Sequence, residues 1–342
     1  MCGIVGFIAG RSVGKGNLSW SSQHSLLQQY MQQMLYLDAF RGPHATGMMR
    51  VERKAPKDSP TVYKRALHAY DYLFQPQAEK MLMGLDDAVC VVGHNRYATQ
   101  GGTAPNKNAH PFQVDHITLV HNGHVTNGYQ LLKGQTMHEV DSANVAIAIA
   151  QQGWENVVPR IEGAYTLVWH DAKEGTLNMV RNNDRPMFWA PLGDEKTPWS
   201  GIIFASEMEM LAFIARRVGI PVNDKFYYPP AHTLFKWSLE DPGKYTVHKF
   251  EAVKEDASSR PFPVGVVGGT TTTTGRGGSG EYRGSKAERR AARKLETEAK
   301  LRYKQTLQFT CEGFSAYKNQ QGEYGCLYGS AKTTGMANPI PL

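Results

Sequence analysis

Apolar positions fall into short runs separated by polar turns, and two periods share the chain. Ile4, Val5, Phe7 and Ile8 read as a buried strand, with Gly3 and Gly6 leaving room for close backbone approach. From Ser21 to Phe40 the residues Leu26, Leu27, Tyr30, Met31, Met34 and Leu35 recur at helical spacing and predict an amphipathic helix packed on a core. A Gly- and Pro-rich turn, Phe40 to Gly47, leads to a strand through Met48 to Val51, and residues 53–62 read as an exposed loop. Further strands are expected at Ala88–Tyr97, Ile117–Val120, Ala164–Trp169, Leu177–Val180, Ile202–Phe204 and Thr233–Trp237. Helices are expected at Ala143–Gln151, with Asp141 or Ser142 placed to cap it, and at Met208–Arg217. Many strands, few helices and no regular β-α alternation predict an α+β fold of mainly antiparallel sheets covered by helices.

That pattern lapses near residue 255. Residues 256–280 have linker composition, rich in Pro and Gly with five consecutive Thr at 270–274. Residues 281–308 form a charged stretch, expected to be helical, with a weak apolar stripe of Ala287, Ala291 and Leu295, and residues 309–342 carry no assignable fold. Composition sharpens the division. A hydrophobic content of 41% supports a sizeable core, and the net charge of +7 is concentrated in residues 281–304, where nine Lys/Arg face four Glu. The body is therefore close to neutral and gains nothing for nucleic-acid binding, whereas the basic segment is a candidate for it. No run approaches the roughly 18 apolar residues of a membrane span. The four cysteines, at 2, 90, 311 and 326, show neither metal-type spacing nor a dense disulfide pattern, and a reduced cytoplasm is the simplest setting.

Cys2 stands apart from these patterns. Removal of the initiator Met, which so small a neighbour permits, leaves a thiol and a free α-amine on one residue. Such an amine titrates at about 7.7–8.0, so near neutral pH part of it can accept a proton and activate the thiol beside it. Four polar clusters could serve this nucleophile: the turn at Arg41, the run Gly93 to Gly102 with Arg96 and Thr99, the pair Asn122-Gly123, and Asp141. Each has an ordinary structural reading as well: Asp141 as a helix cap, Arg96 as a solvated charge, Asn122-Gly123 as a turn. His94, His110, His121 and His124 read as structural or loop histidines.

Seven motifs follow one another along the chain: the start MCGIVGFIAG, then FRGPHATG, GHNRYATQGG, NAHPF, LVHNGHVTN, VDSANV and IEGAYTLVW. Over about residues 2 to 240 the chain resembles the class II glutamine amidotransferases, which are N-terminal nucleophile hydrolases, and looks most like the glutaminase domain of glucosamine-6-phosphate synthase. The resemblance implies a four-layer αββα sandwich of antiparallel sheets at residues 2–255, followed by the linker, the basic segment and the tail. It implies attack by Cys2 on the side-chain amide of glutamine, an oxyanion hole from the Asn122 side chain and the Gly123 backbone N–H, and release of ammonia and glutamate through a thioester. By the same resemblance Arg96 and Thr99 hold the carboxylate end of the substrate, Asp141 accepts from its ammonium, and Arg41 orients the Asn122 loop. No metal and no cofactor are implied.

There are departures. Gln100 stands where family members usually have His, Tyr97 where they have Trp, and Ala231-His232 replace a Gly near the end of the domain. The family fuses this domain to a synthase that consumes the ammonia, and residues 256–342 contain no phosphate-cradling Gly loop, so the expected acceptor is an enzyme in a separate chain. The competing expectations are hydrolysis of another γ-glutamyl compound, or an inactive scaffold that binds nucleic acid or a partner through residues 281–304.

Overall fold

A computed structural model describes residues 2–10, 20–133, 137–194, 199–222 and 225–253, with the backbone of 316–318 and 324–326. The expectations for the linker at 256–280 and the basic segment at 281–308, including its nucleic-acid reading, lie outside the described residues. Within 309–342 two strands, Ala316–Lys318 and Tyr324–Cys326, pair antiparallel as a hairpin.

Two six-stranded antiparallel sheets form the middle of the molecule. The first contains β1 (Gly3–Ala9), β2 (Ala45–Glu52), β3 (Thr61–Arg65), β4 (Ala88–Arg96), β9 (Phe188–Pro191) and β10 (Gly201–Ala205), in the order β3-β2-β4-β1-β10-β9. The second contains β5 (Phe112–Val114), β6 (Ile117–Val125), β7 (Gly163–Asp171), β8 (Thr176–Arg181), β11 (Thr233–Ser238) and β12 (Tyr245–Lys249), in the order β12-β11-β8-β7-β6-β5. Strand alternation sorts the side chains of β1 cleanly. Val5, Phe7 and Ala9 face a helical layer that includes α1 (Trp20–Asp38) and α7 (Met208–Val218), with α2 (Ala69–Leu73) and α3 (Pro76–Leu82) beside them. Ile4 and Ile8 face the second sheet, where they join Val120, Val168 and Met179 of that sheet and Phe204 of their own in one buried cluster. The outer face of the second sheet, through Leu119, Leu167 and Trp169, packs on α5 (Asp141–Gln152) and its short neighbours α4 (Gly128–Leu131) and α6 (Trp154–Val157). Three apolar interfaces between four layers make the αββα sandwich, and each fully buried Leu, Ile or Met in them contributes about 1.5–3 kcal/mol.

The helix expected at Ser21–Phe40 spans Trp20–Asp38, with Leu27, Tyr30, Met31, Met34 and Leu35 buried on its inner face. Tyr30 also reaches through the core: its hydroxyl donates to the carbonyls of Gly6 (3.3 Å) and Phe204 (3.1 Å), tying α1 to β1 and β10. Tyr30→Phe is expected to cost about 1–2 kcal/mol in urea unfolding, because it removes a buried donor and leaves shape unchanged.

Three expectations need revision. The loop at 53–62 ends at Thr61, where β3 begins with Tyr63 turned into the core. The strand expected at Ile117–Val120 continues to Val125, so Asn122-Gly123 lies within a paired strand, opposite Thr166 and Tyr165 of β7. Glycine is what permits this: a Cβ at Gly123 would lie 1.9 Å from the Ala164 carbonyl oxygen. Asp141 is the first residue of α5 and makes no cap across the turn; Val140 occupies the N-cap. His232, in the dipeptide that departs from the family, takes a φ of 54°, the left-handed region that glycine favours.

Candidate active site

The site forms where the start of β1, the end of β4 and the turn after α1 converge at one end of the first sheet. β1 is a central strand, held by β4 on one side and β10 on the other. Its antiparallel register pairs Gly3 with Asn95, which sets Cys2 against the segment that follows Asn95. There the Cys2 Sγ accepts from the Tyr97 backbone N–H at 3.3 Å and lies 3.4 Å from the Tyr97 carbonyl. The thiol is 7% exposed. Burial pushes its pKa above the ordinary thiol value; the Tyr97 hydrogen bond and the charge of Arg96 oppose that rise, and Asp141 adds to it. As it stands the thiol is protonated at neutral pH and requires a base to become a nucleophile.

The main chain at Cys2 is pinned from two sides. Arg41 Nε donates to the Cys2 carbonyl at 3.2 Å, and Ser206 Oγ accepts from the Ile4 N–H at 3.0 Å. Arg41 is itself held by ion pairs to Glu207, just ahead of α7, and to Asp38 at 3.7 Å. The turn after α1 thus acts on the Cys2 backbone through Arg41. His44 in the same turn accepts from the Ala98 N–H through Nδ1 at 2.9 Å and lies ring to ring with Tyr97 at 5.0 Å. It supports the loop after β4 from below.

Arg96 is buried at the end of β4. Its two terminal nitrogens donate to the carbonyls of Gly102 (3.0 Å) and Gln100 (2.5 Å), which folds residues 97–102 back over the strand end. Each terminal nitrogen carries a second N–H, so the guanidinium retains donors for a carboxylate. Burial lowers its pKa, and the neighbouring Cys2, Asp141 and Glu139 act to raise it. Thr99 stands exposed in the same loop. Gln100, one of the departures, approaches His124 of β6 at 3.3 Å and so links this loop to the second sheet.

The second sheet brings up Asn122. Val120 belongs to the core between the sheets, and Asn122, two residues along β6, shares its face toward the first sheet. Asn122 is 1% exposed, and neither atom of its side-chain amide has a hydrogen-bond partner among the described residues. Buried amides are ordinarily paired, so an unspent one calls for a ligand or a role. Asp141 is buried at the start of α5; its Oδ2 accepts from the Val125 N–H and its Oδ1 from the Ser142 N–H, both at 2.8 Å. These bonds dock α5 on the end of β6 and hold the carboxylate close enough to act on both Cys2 and Arg96. Of the seven candidate residues, Cys2, Arg96, Asp141 and Arg41 thus form one electrostatic neighbourhood, with Asn122 and Gly123 on the strand facing it.

The histidines behave as structural groups. His94 contacts the His121 carbonyl at 3.0 Å and stacks on His110 at 3.9 Å, and His121 meets Ser142 Oγ at 2.9 Å. Burial lowers the pKa of all three, His94 to about 3, so they stay neutral near pH 7. Sequence reasoning missed Asp38, Asn95, Ser206 and Glu207. Ser206 and Glu207 follow β10, far away along the chain. Asp38, however, did carry a signal: it continues the stripe Met31, Met34, Leu35 as a charge on an apolar face.

The architecture defines the class first: two antiparallel sheets stacked between helices, with a cysteine leading into a central strand, is an N-terminal nucleophile hydrolase fold. A solved structure described as the allosteric regulatory enzyme of purine biosynthesis shares that fold, with a TM-score of 0.50 at 18% identity over 72% of this chain and 49% of its own. Residues 94–213 match the model of a family described as "Glutamine amidotransferase domain". A glutamine–fructose-6-phosphate aminotransferase (isomerizing) from Pectobacterium atrosepticum is 27% identical over 204 residues, covering 55% of this chain and 30% of its own. Its counterpart from Photorhabdus laumondii is 34% identical over 108 residues, covering 27% and 17%. Residues 94–213 thus carry the pattern of a glutamine amidotransferase domain. The chain spans under a third of the length of these curated relatives. No helix among the described residues is long and apolar enough to cross a membrane.

Proposed function

We propose that the chain hydrolyses glutamine to glutamate and ammonia through a thioester on Cys2 and supplies the ammonia to an acceptor enzyme in a separate chain. Removal of Met1 frees the α-amine of Cys2, which takes the thiol proton as Sγ bonds to the amide carbon. The carbonyl oxygen becomes an oxyanion, met by the Asn122 side-chain amide and the Gly123 backbone N–H. The C–N bond then breaks, the amine returns its proton to the leaving nitrogen, and ammonia departs. Water attacks the thioester, gives a proton to the amine, and glutamate leaves as the thiol is restored. Arg96 and Thr99 bind the substrate carboxylate and Asp141 its ammonium, so the clamp carries both charges that the amino-acid end requires.

The observation that carries this reading is the buried Asn122 amide with no partner, on the strand face turned toward the sheet that bears Cys2. A donor kept unsatisfied in a dry place suits charge that develops only during reaction. The raised thiol pKa agrees with it, since a neutral resting thiol needs the adjacent amine as base. Ammonia free in water at neutral pH is protonated and lost as a nucleophile, which is the reason to place a docked acceptor beside the domain. A reducing cytoplasm keeps the thiol usable.

Steady-state assays test the substrate. Glutamate and ammonia are expected in equal amounts from glutamine. If glutamine were inert while a γ-glutamyl peptide was cleaved, the substrate would be another γ-glutamyl compound and the glutamine assignment would fall.

A further inference from the structure

Asp38 is a carboxylate at a position where the α1 stripe calls for an apolar side chain, and it is 1% exposed. Its Oδ2 accepts from Asn95 Nδ2 at 3.1 Å. The orientation of Asn95 is fixed, because its Oδ1 accepts from Thr46 Oγ1 (3.0 Å) and its Nδ2 also donates to the Leu35 carbonyl (2.9 Å). Asp38 Oδ1 lies 3.7 Å from Arg41 Nε, the atom that donates to the Cys2 carbonyl, and has no hydrogen-bond partner among the described residues. The carboxylate also presses on the main chain of Gly3: a Cβ there would fall 1.7 Å from Oδ2. One side chain thus touches the strand that bears the nucleophile, the residue before Arg96, and the arginine that holds Cys2.

We propose that Asp38 is a positioning residue for the nucleophile, fixing Cys2 relative to Arg96 through Arg41, Asn95 and the Gly3 backbone. The inference rests on the reading of Cys2 as nucleophile. Stability does not account for Asp38. Arg41 already has Glu207 as a partner, and a buried carboxylate oxygen without a hydrogen bond is costly. Burial lifts the Asp38 pKa from 3.8 to about 6, against the opposing effects of Arg41 and Asn95. The charged and titratable groups facing it are Arg41 after α1, Tyr30 on α1, whose hydroxyl is held high by burial and then by Asp38, and the N-terminal amine ahead of β1; Glu207 acts through Arg41. Because the folded pKa lies above the unfolded one, the carboxyl favours folding most below pH 3.8, and that contribution is lost as pH rises toward about 6. Neutralising it is therefore expected not to weaken the fold at pH 7.5.

Asp38→Asn in the full chain tests this. The expected result is a fall in kcat of about ten- to a hundredfold, as for misplaced reacting groups, with KM for glutamine within about twofold. The unfolding temperature at pH 7.5 should not drop. In the native chain kcat/KM should fall more steeply below pH about 6 as the carboxyl protonates, and in Asp38→Asn that added fall should vanish. A variant with native kcat and pH profile overturns the proposal, as does a loss of kcat matched by a loss of stability. If the variant does not fold, the native profile decides alone: an added fall below pH about 6 supports the role, and its absence overturns it. Cys2→Ala run in parallel separates the two readings, since residual activity there would defeat the nucleophile assignment itself, whereas an inactive Cys2→Ala beside a native-like Asp38→Asn defeats this inference alone.

Discussion

Cys2→Ala is expected to lower glutamate release by about 10⁴-fold or more, the scale of losing a nucleophile that acts jointly with its base. Folding and glutamine binding should survive, because the substitution removes one sulfur that the core does not depend on and leaves the Arg41 bond to the Cys2 carbonyl in place. Equilibrium binding of glutamine to the variant, followed by calorimetry, separates lost chemistry from lost binding. Among the described residues Cys90 is the other free cysteine, and it cannot substitute. It is fully buried in the core between the sheets, where burial alone pushes its thiol far above the ordinary range. Cys2→Ser should retain a trace of activity, since a hydroxyl gives up its proton far less readily than a thiol.

Removing the Asn122 amide is expected to have the next largest effect. Asn122→Ala should reduce kcat by about 10²–10³, or about 2.7–4 kcal/mol of transition-state stabilisation, with KM changed by less than about threefold. At rest both amide atoms of Asn122 are buried and unpartnered, so the ground state forfeits no hydrogen bond when they are removed. Thermal unfolding should accordingly show Asn122→Ala to be at least as stable as the native chain. A protein whose stability fell while kcat held would assign Asn122 to the core. Gly123→Ala is the harsher neighbour: its Cβ meets the Ala164 carbonyl, so β6 must separate from β7 and the backbone donor moves with it.

Much of this arrangement was legible in the sequence because it depends on local period. The α1 stripe, the run at Ile4 to Ile8 and the strand ending at Arg96 each advertise their buried face. Other elements hide for physical reasons. β12 is exposed along its whole length at the edge of the second sheet, so no alternation marks it. The Asn122-Gly123 pair has the composition of a turn but runs on as strand, because its glycine serves close approach to β7 and not a reversal of the chain. The motifs brought Cys2, Arg96, Asn122 and Asp141 to attention singly; what joins them is register and layer stacking, which no local pattern encodes. The residues that hold Cys2 in place were the least legible. Glu207 reaches Arg41 from beyond β10, and Asp38 matters through contacts to Asn95 and Gly3 that exist only once three segments have met. Arg41 likewise makes a contact that no local pattern announces, its hydrogen bond to the Cys2 carbonyl.

If sulfur and amine of one residue share the cleavage of an amide, peptide mass spectrometry on the intact chain, quenched in acid during turnover of glutamine, will show it. The expected N-terminal peptide begins at Cys2, lacks Met1 and carries a glutamyl thioester on that cysteine. A chain that turns over glutamine with Met1 still attached, or with the acyl group on any other residue, would contradict it.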